Sequence, residues 1–182
     1  MWRVYYEGIG RCNLTLGLLK AVQEGSGEKL SDQRAKEIIG EARLLRGHYY
    51  FFLARVFRDI PYVDETMSTQ EAAKVKNDKD VLPMIEADFK AAIDNLPADK
   101  PLGDVGRGDK RAAQAYLGKL YLYQKKYAEA LPLFQDVINN KPALSTLAFD
   151  ANFNIKTKNG PEGILVSQSI INPDGSGDNG NV

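Results

Sequence analysis

The chain has 182 residues, and its 24 lysines and arginines balance 24 aspartates and glutamates, so the formal charge is zero with the single His48 neutral. That balance excludes a nucleic-acid or anionic-membrane binder, which needs surplus positive charge. One cysteine and one histidine allow neither an internal disulfide nor a zinc cluster, no run approaches the ~20 apolar residues of a membrane-spanning helix, and 43% hydrophobic with 26% charged residues describe an ordinary folded chain.

Trp2, Tyr5, Ile9, Cys12, Leu16 and Leu19 recur in steps of three and four, which predicts one face of a helix ending near Glu24. Cys12 falls inside this stripe and reads as a packed thiol. Gly25-Ser26-Gly27 supplies a turn, and Leu30, Ser31 and Asp32 bring a staple residue, a capping hydroxyl and a first-turn acid for a second helix running to Phe57. Its second half, Tyr49 to Ala54, is apolar all the way round, as in a helix surrounded by neighbours. Pro61 ends it by disfavouring helical geometry at Ile60.

Residues 64–79 are polar and aperiodic. Asp80 is the expected cap of a third helix, with Pro83 in its first turn and the stripe Leu82, Ile85, Phe89, Ile93 and Leu96. Asp109 should cap a fourth helix to about Gln124, and a fifth runs from Tyr127 to Asn139 before Pro142. Beyond it, Asn152 to Lys156 alternates with period two and Gly163 to Ile171 reads as a strand around the Asn159-Gly160 turn, so a short hairpin is expected. The tail from Asn172 has almost nothing to bury and should be mobile. The expected fold is mainly all-α, in antiparallel helix pairs, with residues 1–142 as the helical domain and 143–182 as a loop, short β segment and tail cut from something larger.

Leu117-Gly118, Tyr121, Ala130, Phe134 and Pro142 reproduce the Leu-Gly, Tyr, Ala, Phe and Pro spacing of the tetratricopeptide repeat, in which small residues let two helices approach and aromatics fill the groove between repeats. Gln114 stands where that repeat often has Trp. The second and third helices form a candidate second pair, with residues 60–79 inserted between its arms.

The segment from Glu41, Ala42 and Arg43 through Arg46, Tyr50 and Phe57 to Asp59, Ile60 and Pro61 resembles the signature of the SusD/RagB outer-membrane nutrient-binding proteins, with their acid-Ala-Arg start, aromatic run and Phe-Gly-Asp-Val-Pro exit. Trp2, Tyr6, Ile9 and Asn13 resemble that family's upstream helix, Gly106-Arg107 to Ala113 its entry to the last repeat pair, and Asn159-Gly160 with Glu162 to Ile164 its post-repeat segment. Arg58 replaces the usual Gly at the exit. The resemblance implies a surface-exposed lipoprotein of the bacterial outer membrane that captures glycans or peptides and passes them to a SusC-like TonB-dependent transporter. Membrane contact would come only through a lipid anchor outside this chain, which by itself should be soluble. The repeat helices would dock the transporter, and residues beyond this chain would supply most ligand contacts.

Trp2, Tyr6 and Tyr62 are the aromatic candidates for stacking on sugar rings, although helical spacing places Trp2 and Tyr6 equally well in a core. Arg43, Arg46, Arg55 and Arg58 could grip an anion, but Glu41, Asp59, Asp64 and Glu65 nearby predict a network of paired charges instead. His48 has no nucleophile or second histidine beside it and is expected to be structural. Asp109 interrupts any phosphate-loop reading of Gly103 to Lys110, and Asp174, Ser176 and Asp178 imitate a calcium loop whose glycine falls one place late. No catalytic residue, metal or cofactor is expected. A stand-alone repeat adaptor that binds a peptide in its concave groove is the alternative reading.

Overall fold

A computed structural model describes residues 1–100, 105–140, 148–154, 157, 159–160 and 162–167. Helix α1 spans Trp2–Glu24 and buries Ile9, Cys12, Leu16 and Leu19 of the expected stripe, while Tyr5 is half-buried and Trp2 is exposed. The Gln23 side-chain amide then closes the turn, accepting from Leu30 N at 3.0 Å and donating to Leu30 O at 3.2 Å. Helix α2, Asp32–Phe57, starts at the Ser31 hydroxyl, which accepts from Arg34 N at 3.3 Å. Its apolar half is enclosed as predicted, with Tyr50, Phe51 and Leu53 no more than 1% exposed.

The exit from α2 carries a departure from helical geometry. Arg58 closes the last turn through its amide on Ala54 O at 2.9 Å, with φ 62° and ψ −95°. A Cβ is strained there and glycine is not. Arg58→Gly should therefore raise stability by up to about 1 kcal/mol, read as an upward shift of the urea midpoint at unchanged slope. A lower midpoint would show that the Arg58 side chain contributes more than its backbone costs.

Within the polar insertion one turn of helix, α3 (Thr69–Ala72), forms on a reciprocal cap between Ser68 and Glu71. Helix α4, Leu82–Asn95, corrects the expected cap: Val81 occupies the cap position, and the Asp80 carboxylate sits one residue earlier, accepting from Leu82 N at 3.0 Å. Pro83 in the first turn removes a donor that the helix start leaves unpaired anyway. Helix α5, Lys110–Tyr123, begins at Asp109, whose side chain accepts from Ala112 N at 2.9 Å. Helix α6 spans Tyr127–Asn139.

Paired contacts give the direction of each helix. Trp2 meets Phe57 and Asn13 meets Arg46, so α1 and α2 run antiparallel. Gly40 lies under Leu96 and Gly47 under Phe89, so α2 and α4 do likewise. Glu86 bonds Tyr121 while Phe89 stacks on Tyr116, and Gln114 reaches Asp136 while Arg111 reaches Asn140 O, which orders α4, α5 and α6 the same way. The repeat spacing corresponds to real packing: a Cβ on Gly118 would stand 2.8 Å from the Phe134 ring, and Ala130 is buried in the same seam. The core runs through this row, from Ile9 through Tyr50, Ile85 and Phe89 to Leu117 and Leu120.

The expected β segment needs correction. Phe149–Phe153 is a turn of 3-10 helix, residues 162–167 form a turn and bends, and no strand occurs among the described residues. A short alternating run without a neighbouring strand to pair with has no source of sheet stability. Ile155, Lys156 and residues 168–182, with the rest of that hairpin, the tail and the calcium-loop imitation, lie outside the described residues, as do Asp104 and Pro142. No helix among the described residues is long and apolar enough to cross a membrane.

Candidate functional site

The segment leaving α2 is tied down by side chains of α1 and α2. Tyr50 Oη donates to Val63 O and accepts from Val63 N, both at 2.7 Å. Tyr6 Oη donates to Pro61 O at 2.7 Å, and Asn13 Nδ2 donates to Val63 O at 3.0 Å. The Tyr62 ring stacks on Tyr50 at 4.7 Å and lies under the Arg46 guanidinium. Burial pushes the Tyr6 hydroxyl up to about 12 and raises Tyr50 and Tyr62 as well, so all three stay protonated, and Tyr6 and Tyr50 remain donors.

Beneath this clamp sits a buried charge hub. Arg46 and Asp88, both fully buried, form a two-pronged pair: Nε donates to Oδ2 at 2.8 Å and Nη2 to Oδ1 at 2.6 Å. The remaining prong of Arg46 reaches Asn13 Oδ1 at 2.8 Å and Glu65. Arg43 repeats the bridge, bonding Asp88 at 2.8 Å and Glu65 at 2.7 Å. Burial opposes the Arg46 charge, but the Asp88 hydrogen bonds and charge outweigh it and push its pKa further up. Burial likewise disfavours ionised Glu65, yet Arg46 and Arg43 hold its carboxyl below the usual range. Two cations and two anions thus fasten α1, α2, α4 and the Asp64–Thr66 turn to one another.

The predicted site residues fall into place around this hub. Arg43 and Arg46 enter the expected charge network, with Glu65 as one partner and Asp88 as the partner that spacing did not reveal. Glu41 turns away and pairs with Arg107 before α5. Arg55 covers the rings of Phe51, Phe52 and Tyr123 at 4.8–5.4 Å. Asp59 contributes its backbone carbonyl, which accepts from Asn77 at 3.4 Å. Of the aromatic candidates, Tyr6 and Tyr62 are engaged in the clamp, while Trp2 is 41% exposed and packs against Tyr6 at 4.8 Å and edge-on to Phe57 at 5.0 Å.

A second feature, legible only once helices are placed, is a cleft of about 680 Å³ between α1, α2 and α5. Tyr5, His48, Tyr49, Phe52 and Tyr116 wall it, with Leu165 to Ser167 at its rim. His48 Nδ1 and Tyr116 Oη are hydrogen-bonded at 2.7 Å, and the Lys100 ammonium holds the rim by donating to Ile164 O at 3.0 Å. Burial, helped by Lys119, lowers the His48 pKa to about 4, so the ring is neutral near pH 7. Among the described residues no group of three His, Cys, Asp or Glu side chains is placed to hold a metal ion.

The sequence and the fold have counterparts in known proteins. The family model described as SusD-like, starch-binding associating with outer membrane, matches residues 1–122. The chain belongs to the SusD-like family. A SusD-like protein of Bacteroides ovatus is 23% identical over 93% of this chain and 32% of its own length. A solved laminarin-binding SusD-like protein superposes with a TM-score of 0.73 at 29% identity, covering 90% of this chain and 36% of that one. Surface glycan-binding protein A of Bacteroides uniformis gives 0.74 at 28% identity, again over 90% and 36%. The SusD-like chain described here therefore spans about a third of the length of the relatives it matches.

Proposed function

We propose that this SusD-like chain is the helical scaffold of a non-catalytic glycan-capture protein of the bacterial outer membrane, one that delivers its ligand to a SusC-like TonB-dependent transporter. The family match over residues 1–122 carries the reading. It is supported by the shared fold with a laminarin-binding and a surface glycan-binding protein, each more than 25% identical. The helices serve as the rigid frame and the transporter-facing side. Tyr6 and Tyr62 are engaged within the chain and Trp2 is partly exposed; in this reading most ligand contacts come from the rest of the polypeptide.

The test is calorimetric titration of the whole gene product with soluble polysaccharides, beginning with laminarin, alongside an assay for released reducing sugar. Binding without sugar release is expected. Trp2→Ala should change the affinity less than twofold, and a loss of tenfold or more would make Trp2 a ligand contact. Release of reducing sugar, or no binding to any neutral or acidic polysaccharide, would overturn the proposal. Co-purification of a TonB-dependent transporter checks the partner separately.

A further inference from the structure

The insertion between α2 and α4 borders a cavity of about 360 Å³ that is separate from the aromatic cleft. Its apolar wall comes from three directions: Ile60 from the chain leaving α2, Met67 from the insertion and Met84 from the first turn of α4. Ile60 is fully buried there, and Met67 and Met84 are half-buried. Three lysines, Lys74, Lys76 and Lys79, complete the lining with one acid, Asp78, and all four are exposed. Ligand sites run from roughly 300 to 1,000 Å³, so this cavity suits one small unit.

The fold uses the acids of this insertion and leaves its lysines free. Asp64 accepts from the amide and the hydroxyl of Thr66 at 2.9 and 2.6 Å, Glu65 pairs with Arg43 and Arg46, Glu71 accepts from the Ser68 amide at 2.8 Å, and Asp80 accepts from Leu82 N. Lys20, Lys90 and Lys126 each pair with a carboxylate, whereas Lys74, Lys76 and Lys79 enter no ion pair among the described residues. Three ammoniums therefore stand with one carboxylate around the cavity, a local surplus of positive charge on a chain whose total is zero. Tyr62 lines the same space. Its ring stacks on Tyr50 and lies under Arg46, but its hydroxyl makes no hydrogen bond among the described residues.

We propose that this cavity binds an acidic saccharide unit, with its carboxylate or sulfate among the ammoniums of Lys74, Lys76 and Lys79 and its ring against Ile60, Met67 and Met84. The lining selects that chemistry. Unpaired ammoniums and a phenolic hydroxyl offer protons and call for a ligand rich in acceptors, and lysines on flexible stems suit an anion met from several sides. The apolar wall suits the C–H face of a sugar ring, which loses water on contact. Arg43 and Arg46, cations that the residue order also offers to an anion, are already consumed by Asp88 and Glu65. That the ligand is a saccharide rests on the capture function proposed above; that it is anionic rests on this cavity alone.

The test is calorimetric titration of the whole gene product with oligogalacturonate, which carries carboxylates, with a sulfated galactan oligosaccharide, and with neutral laminarin. The combined change Lys74→Gln, Lys76→Gln and Lys79→Gln should weaken the tighter of the two acidic probes at least tenfold, and raising the salt concentration tenfold should weaken it in the parent protein. Laminarin should change less than twofold. A control with Lys20→Gln, Lys29→Gln and Lys36→Gln alters the net charge equally at exposed lysines away from the cavity and should leave every affinity within twofold. The tighter acidic probe tells carboxylate from sulfate. Unchanged affinity in the cavity variant, an equal loss in the control, or binding of laminarin with neither acidic probe would overturn this site and leave the capture function standing. Binding of none of the polysaccharides would overturn both.

Discussion

Replacing Asp88 with alanine should destabilise the protein by about 3–5 kcal/mol, a drop in melting temperature of roughly 6–20 °C for a chain of this size. Asp88 is fully buried and accepts from Arg46 twice and from Arg43 once. Removing it leaves the fully buried Arg46 guanidinium with Glu65 and Asn13 on one prong and two donors facing apolar surroundings. Water cannot follow the charge into a position with no exposed surface, so the desolvation cost is borne in full. Urea denaturation followed by circular dichroism measures the effect, and a loss below 1 kcal/mol would show that the hub is solvated. The double substitution Arg46→Met with Asp88→Leu should cost less than the sum of the two single changes, since it removes both members of the buried pair at once.

The hub also explains why an aromatic-rich helix ends where it does. Tyr50 supplies one hydroxyl to both polar groups of Val63, Tyr6 supplies another to Pro61, and Arg46 lies over Tyr62. The chain emerging from α2 therefore meets protonated donors and a fixed cation instead of water, and the insertion that follows starts from a defined point.

Much of this was legible in the residue order, and the parts that were not share a physical reason. The stripe of α1, the enclosed half of α2 and the Gly118 to Phe134 seam are local patterns of period 3.6, and they are found where spacing places them. The pairing of Arg43 and Arg46 with Glu65 was legible because arginines and acids crowd one segment, whereas Arg55 lies over aromatic rings and Glu41 pairs with Arg107. The central acid of the hub was not, because Asp88 lies 42 residues from Arg46 and spacing cannot locate a partner across two helices. A trace existed: Asp88 sits between Ile85, Phe89 and Ala92 on a face otherwise wholly apolar, and a carboxylate there requires a buried cation. The cleft walled by Tyr5, His48 and Tyr116 was hidden for the same reason, since its walls come from three helices. Of the predicted hairpin, Asn152 and Phe153 lie in the 3-10 helix Phe149–Phe153 and residues 163–167 form no strand, because alternation over five residues is weak evidence of a strand by itself.

His48 turns that cleft into a measurable pH dependence. Its pKa falls from 6.5 to about 4, first through burial and then through the Lys119 charge. As pH drops below 6.5 the unfolded chain takes up a proton on this ring and the folded chain does not, so the stabilisation is complete above 6.5 and is lost progressively down to about 4. The loss should reach about 2 kcal/mol at pH 5 and about 3 kcal/mol at pH 4. Glu65 and Glu86, also held below the ordinary carboxylate value of 4.5, add their losses mainly below pH 5, which leaves the interval from pH 7 to pH 5 to His48. His48→Phe keeps an aromatic ring against Tyr49, Phe52 and Tyr116, its present neighbours at 4.8–5.3 Å, and removes the titrating group. Denaturation curves of that variant should be level from pH 7 to pH 5 while those of the parent protein slope downward. Equal slopes in the two would mean that His48 is already reached by water, and the cleft would then be an open surface instead of a packed aromatic wall.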